Sequence, residues 1–301
     1  MSSAGKGLLW SGMVILVATL LGMYLPHRWR ADPAPEMTPA DTAPHEQMAA
    51  RRRLTPSLAP ARVPPSFSTT IERVGPKAFL VSGDVEPPPG KAVEVIAALE
   101  GQASRGDSDA ALLIALKLMG CYDALARSDD DATLLVEAQA IGTLESALRR
   151  RAELSAECEG LTRSDYERRG EWLQRAADAG NVVAQLTYAA SSDTVLKSPT
   201  LMLKDPQATI DFKQRAIGYL LSAASNGSID ALDQLGQSYR TGVLVTRDDT
   251  LAYAYYLAGQ KADGRIKPWD MEQLESSISP RQRQDATALA REIYRGCCEG
   301  P

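Results

Sequence analysis

The sequence predicts an all-α fold: αα-hairpins repeated along the chain and stacked as a solenoid, behind a single N-terminal transmembrane helix. Three observations carry this expectation. The spacing A-x-x-G-x-x-x-A occurs at Ala103, Gly106 and Ala110, again at Ala177, Gly180 and Ala184, and again at Ala224, Gly227 and Ala231. Alanine and leucine are abundant, phenylalanine occurs three times, and long β-branched runs are rare, which favours helices over sheet. Finally, the run from Leu8 to Leu25, 18 residues, carries no charge.

After a short tail (residues 1–7), the stretch from residue 8 to 25 is long enough, as a helix, to span roughly 27 Å at 1.5 Å per residue, about the hydrocarbon thickness of a bilayer. Trp10 lies near one end, and Tyr24 and Trp29 near the other, where aromatic rings favour the membrane interface. A cleaved signal peptide is the alternative, but the apolar run leads into "PHRWR", not into a small-x-small cleavage site. Lys6 precedes the span and Arg28 and Arg30 follow it, so flanking charge does not set the orientation.

Residues 26–67 form a linker rich in Pro, Ala and Arg, expected to be a flexible spacer. Arg51 to Arg53 offer contact with anionic lipid or a partner, or serve only as a solvated cluster. Residues 68–301 are the globular part. The segment before residue 68 holds seven of the chain's 33 Lys/Arg and four of its 38 Asp/Glu, so the remainder carries 26 and 34, a net −8. An acidic domain without a basic stripe excludes nucleic acid as the expected partner.

Within that part, each repeated Gly sits between two helix-like segments. "RGEWLQRAADAG" and "AIGYLLSAASNG" place Trp172, Ala176 and Ala177, or Tyr219, Ala223 and Ala224, at helical spacings before the Gly. The Gly can take positive φ and end the first helix. Asn181 or Ser228 follows, suited to capping the second. Ala184 or Ala231 then lies where two antiparallel helices approach closely. The pattern is an αα-hairpin written three times. "ATLLVEAQAIGTLESALRRRAELSAECEG" has apolar spacing for two more helices. Ser279-Pro280 opens a closing C-terminal helix.

The copy from Ala216 to Ala252, with Tyr219, Ala223, Ala224, Gly227, Ala231, Leu235, Gly236, Tyr239 and Gly242, resembles the Sel1-like repeat family, a relative of tetratricopeptide repeats. The copy from Arg169 to Ala189 matches through its second helix, then "SSDTVLKSPTLMLKDPQ" replaces the short glycine loop. The copy from Ala92 to Leu118 keeps only its small residues. The resemblance implies a protein–protein interaction or scaffolding role.

Both histidines, His27 and His45, precede the globular part, which removes Ser-His and Cys-His catalysis and most zinc sites there. No nucleophile elbow, Walker A or dinucleotide motif is present. No catalytic residue, cofactor, metal or small-molecule substrate is therefore expected. Tyr188, Tyr239, Tyr253, Tyr255, Tyr256 and Trp172 offer either a peptide groove or repeat core; Tyr253 and Tyr255 are the better surface candidates for binding a partner.

Cys121 and Cys158 fall near predicted helix ends on either side of a helical hairpin, and a disulfide between them is expected. Such a bond marks an oxidising compartment. Cys297 and Cys298 are adjacent. The expected protein is an inner-membrane, single-pass scaffold with a periplasmic C-terminal domain and an unknown protein partner. An envelope enzyme such as a cell-wall hydrolase and a cytoplasm-facing adaptor are the alternatives.

Overall fold

The three predicted turns form by one local chemistry. The first helix of each pair runs into a left-handed glycine, with φ +97° at Gly106, +87° at Gly180 and +105° at Gly227. The next side chain caps the second helix. Asp107 Oδ1 accepts from the Ala110 amide at 3.0 Å, Asn181 Oδ1 from Ala184 at 2.9 Å, and Ser228 Oγ from Ala231 at 3.2 Å. The alanine at the end of each motif thus has its amide capped and its methyl buried in the core.

The structure, a computed structural model, describes residues 70–83, 85–126, 139, 142–197, 204–264 and 268–299, all within one unit, Thr55–Pro301. The predicted span at residues 8–25 and the linker at 26–67 lie outside the described residues. Among the described residues, no helix is long and apolar enough to cross a membrane.

Helices α1 (Ala92–Ser104) and α2 (Ser108–Ala126) make the first hairpin. A bridging helix α3 (Leu144–Glu157) and a short α4 (Arg163–Glu167) follow. Then come α5 (Arg169–Asp178) and α6 (Val182–Ala190), the second hairpin. The insertion that breaks the repeat folds as a single turn and a half, α7 (Ser192–Leu196). The third hairpin is α8 (Pro206–Ser225) and α9 (Ile229–Thr241), and the chain ends with α10 (Asp249–Ala262), α11 (Pro268–Ser277) and α12 (Pro280–Cys297). The second helix of each hairpin packs on the first helix of the next: α2 on α5, α6 on α8, α9 on α10. This is a stack of helical repeats.

Three features differ from the sequence expectation. The globular part is not all-α: β1 (Thr70–Arg73) and β2 (Phe79–Ser82) form an antiparallel hairpin, Ile71 opposite Val81. Four-residue strands give too little alternation to read, and an isolated hairpin is marginal in water. This one is held by the third repeat and by α12. The Phe79 amide donates to Gly227 O at 2.9 Å, the Val81 amide to Asp230 Oδ2 at 2.8 Å, and Lys77 Nζ to Ser225 O at 2.6 Å and Gly296 O at 3.1 Å. A Cβ at Gly227 would overlap Lys77 O, so that glycine serves both the turn and the docking.

The second difference is a fourth hairpin. The C-terminal helix α12 packs along α10, as α9 does, with α11 also against α10. Ser279 caps α12 in a capping box with Gln282, and Pro280 is in its first turn, as the sequence predicts. The third difference follows from this. Tyr253 and Tyr255 are not surface residues: α10 is enclosed, and they are 6% and 7% exposed. Tyr255 stacks on Tyr239, centroids 5.6 Å apart and planes at 8°. A repeat unit hidden by its divergent sequence supplied the cover.

Candidate functional site

One concavity among the described residues lies beyond the end of a helix that has no core of its own. None of the α3 residues is buried, and Leu148 is 46% exposed. Packing alone therefore holds α3 weakly, and its C-terminal end is fixed by other means. Cys158, the C-cap of α3, is joined to Cys121 of α2 as predicted, with Cα atoms 5.5 Å apart. Beside the bond, the buried Lys117 ammonium pairs with Glu157 and also donates to Pro88 O at 3.3 Å. The two sulfurs and Ala92 form a small buried cluster, against which Ile96 and Leu161 pack.

Ile96 and Leu161 are also walls of a cleft between α1 and α5, with a volume of about 190 Å³. Val93, Ala97 and Glu100 complete the α1 wall, Leu118 of α2 is at the base, and Asp165, Arg168 and Trp172 come from α4 and α5. The disulfide thus fixes the position of one wall relative to another. Trp172 is only 3% exposed. The core reading of this residue holds, and its remaining edge faces the cleft. Arg168 and Arg175 lie 5.6 Å and 4.6 Å from its ring centroid.

The charges around the cleft are unequally committed. Asp165 Oδ2 accepts from the Thr162 hydroxyl and amide, both at 2.7 Å, and these bonds hold its carboxyl below the usual range. Arg168 pairs with Glu171 at 3.5 Å. Glu100 has no ion-pair partner among the described residues.

The next step of the stack is built differently. Where α1, α2 and α5 surround the cleft, their counterparts α5, α6 and α8 all contact α7. Thr194 is buried there, and Val195 and Leu196 pack on the main core. The close approach depends on Gly170, where a Cβ would meet Thr194 O at 2.7 Å and Val195 Cα at 3.1 Å. Gly170 lies ten residues before the turn glycine Gly180; ten residues before Gly106 stands Ile96. At one step α7 covers a glycine; at the other Ile96 packs beside Leu161 at the edge of the cleft. Arg169, 1% exposed, ties the two regions together. It donates to Tyr166 O at 3.1 Å and Asp193 O at 3.2 Å and lies 3.5 Å from the Tyr122 ring centroid. Burial lowers its pKa.

The remaining perturbed groups are tied into the scaffold. Burial pushes Tyr188 up to about 12 and raises Tyr219, whose hydroxyl donates to Asp178, well above the ordinary range. Burial also raises Asp109, which accepts from Asn181 Nδ2 at 2.8 Å, and Asp230, which accepts from Val81. Among the described residues, no group of three or more His, Cys, Asp or Glu is placed to hold a metal.

The repeat residues predicted from sequence, Ala103, Ala110, Ala177, Ala184, Ala224, Ala231 and Tyr239, are all core. Gly242 ends α9 in the left-handed conformation, φ +74°. The cleft residues Val93, Ile96, Ala97, Glu100, Leu161, Asp165 and Arg168 were not singled out by sequence.

No protein-family model matches the chain, and a search of curated proteins finds no match. Among solved structures, the chain is similar to c5321, a protective antigen present in uropathogenic Escherichia coli strains displaying an SLR fold. The identity is 19% and the TM-score 0.38, over 68% of this chain and 42% of that one. The chain therefore spans less than half the length of that protein.

Proposed function

We propose that this chain is a non-catalytic protein-interaction module of the Sel1-like type. One observation carries the reading: a cleft between the first two repeats, about 190 Å³ in volume and lined by both apolar and charged side chains. Small-molecule and cofactor sites ordinarily occupy about 300–1,000 Å³. A recess of this size fits one or two side chains, the anchors by which protein partners dock. The uncharged run from Leu8 to Leu25 supports an anchored protein, and the Cys121–Cys158 bond supports placing the domain in an oxidising compartment such as a periplasm.

The test is a photo-crosslinking residue at Val93, on the cleft rim, in full-length protein in its native membranes, with the same residue at Arg281, on exposed α12, as control. A discrete adduct from position 93 that is absent from position 281 is the expected result. Equal, diffuse labelling from both positions contradicts the reading.

A further inference from the structure

We infer that the buried guanidinium of Arg169 couples the two inserted segments on either side of α5: release of α7 at the second step loosens α4, and with it one wall of the cleft, at the first step, and the reverse. The inference concerns how the cleft is held and does not depend on what docks there. Three observations carry it.

The first is that neither short helix stands alone. α4 and α7 have five residues each, well below the roughly 12–15 residues at which an isolated helix becomes even marginal in water. Each packs on α5. α4 is closed at its start by Thr162, whose amide and hydroxyl donate to Asp165. α7 has no side-chain cap and ends at Lys197 with φ +65°, a conformation that a residue other than glycine keeps only where its surroundings impose it. Contacts outside each helix therefore decide whether it stays docked.

The second is that one side chain serves both. Arg169, the first residue of α5, is almost fully buried. Its Nη1 donates to Tyr166 O of α4 at 3.1 Å, and its Nη2 donates to Asp193 O of α7 at 3.2 Å. The guanidinium is planar and its donors form a rigid fork. With the Tyr122 ring of α2 against it, it cannot follow one carbonyl without leaving the other. A buried donor or acceptor left unpaired carries its full desolvation cost. The docked states of α4 and α7 thus favour each other, and such a coupling is reciprocal.

The third is position. Leu161 and Asp165, just before and within α4, line the cleft, whereas α7 lies over Gly170 with Thr194 buried. Arg169 stands between them, so the coupling runs from one step of the stack to the next.

The experiment reads hydrogen exchange, peptide by peptide, on the full-length protein in detergent. Thr162→Ala removes the hydroxyl that donates to Asp165, and Leu196→Ala removes an apolar contact of α7 with the core. Each speeds exchange in its own segment. The expected result is a cross-effect: Thr162→Ala also speeds exchange over residues 192–196, and Leu196→Ala over residues 163–167, each by roughly twofold or more. In an Arg169→Met background, which lacks the donors, the cross-effects disappear while the local effects remain. Arg169→Lys, which keeps the charge without the fork, gives the same loss and takes its place if circular dichroism shows the methionine variant unfolded. Absence of cross-effects with Arg169 intact overturns the coupling. Cross-effects of unchanged size in the Arg169 variants overturn the part assigned to this side chain, because the α5 backbone would then carry them.

Discussion

The two successive steps of this stack, α1 to α5 and α5 to α8, are both interrupted by inserted helices, α3 and α4 in the first and α7 in the second, and are filled differently. At the second step a short insertion closes the space, and Gly170 lets its backbone in. At the first, Ile96 stands at that register and an open cleft remains. The difference shows that segments inserted between repeats can close one step and leave a cleft at another, with no change to the repeat's small-residue framework. It also explains the covalent link. None of the α3 residues is buried, and the Cys121–Cys158 bond fixes the end of that insertion.

The largest expected effect comes from removing that bond. Cys121→Ser with Cys158→Ser releases a 37-residue loop, a cost of roughly 3–4 kcal/mol by loop entropy, measurable by denaturant titration. Hydrogen exchange should then rise in α3 and α4 and stay unchanged in α8 to α10. A uniform rise would erase the distinction between the open and the plugged halves.

Next is Gly170→Ala. Alanine in a helix interior is ordinarily favoured over glycine by about 1 kcal/mol. Here its methyl would enter Thr194 O, and overpacking should cost roughly 1–3 kcal/mol, with faster exchange in α7. A stabilised variant would mean that α7 is not a tight plug.

Asp230→Asn probes the β-hairpin attached to the plugged half. Burial raises the folded-state pKa of Asp230, partly offset by the Val81 amide. Its favourable contribution is complete below the unfolded value of about 3.9 and is lost as pH rises through the raised folded value. Asparagine keeps an acceptor for Val81 without the charge. The melting temperature of the variant relative to wild type should therefore climb as pH increases from about 4 towards 7. A flat difference would show that Asp230 is well solvated when ionised.

Much of this fold is legible from sequence because turn chemistry is local. Gly106, Gly180 and Gly227 announce positive φ, and Asn181 and Ser228 announce caps, within a few residues of each other. The pairing of Cys121 with Cys158 was legible from helix ends. What stayed hidden is set by distant partners. The hairpin at 70–82 depends on Gly227 and Asp230, some 150 residues away. Tyr253 and Tyr255 looked exposed because α12 carries no repeat signature, yet it packs on α10. The cleft escaped for the same reason: no motif marks Val93, Ala97 or Glu100.

The most direct test of the open step is the smallest effect, Ala97→Leu, measured by denaturant titration beside Gly170→Ala. If the α1–α5 cleft is open and preformed, the larger side chain enters it and stability stays within about 0.5 kcal/mol of wild type, against the loss of roughly 1–3 kcal/mol at Gly170. Equal losses at the two positions would contradict the account, because they would mean that both steps are closed.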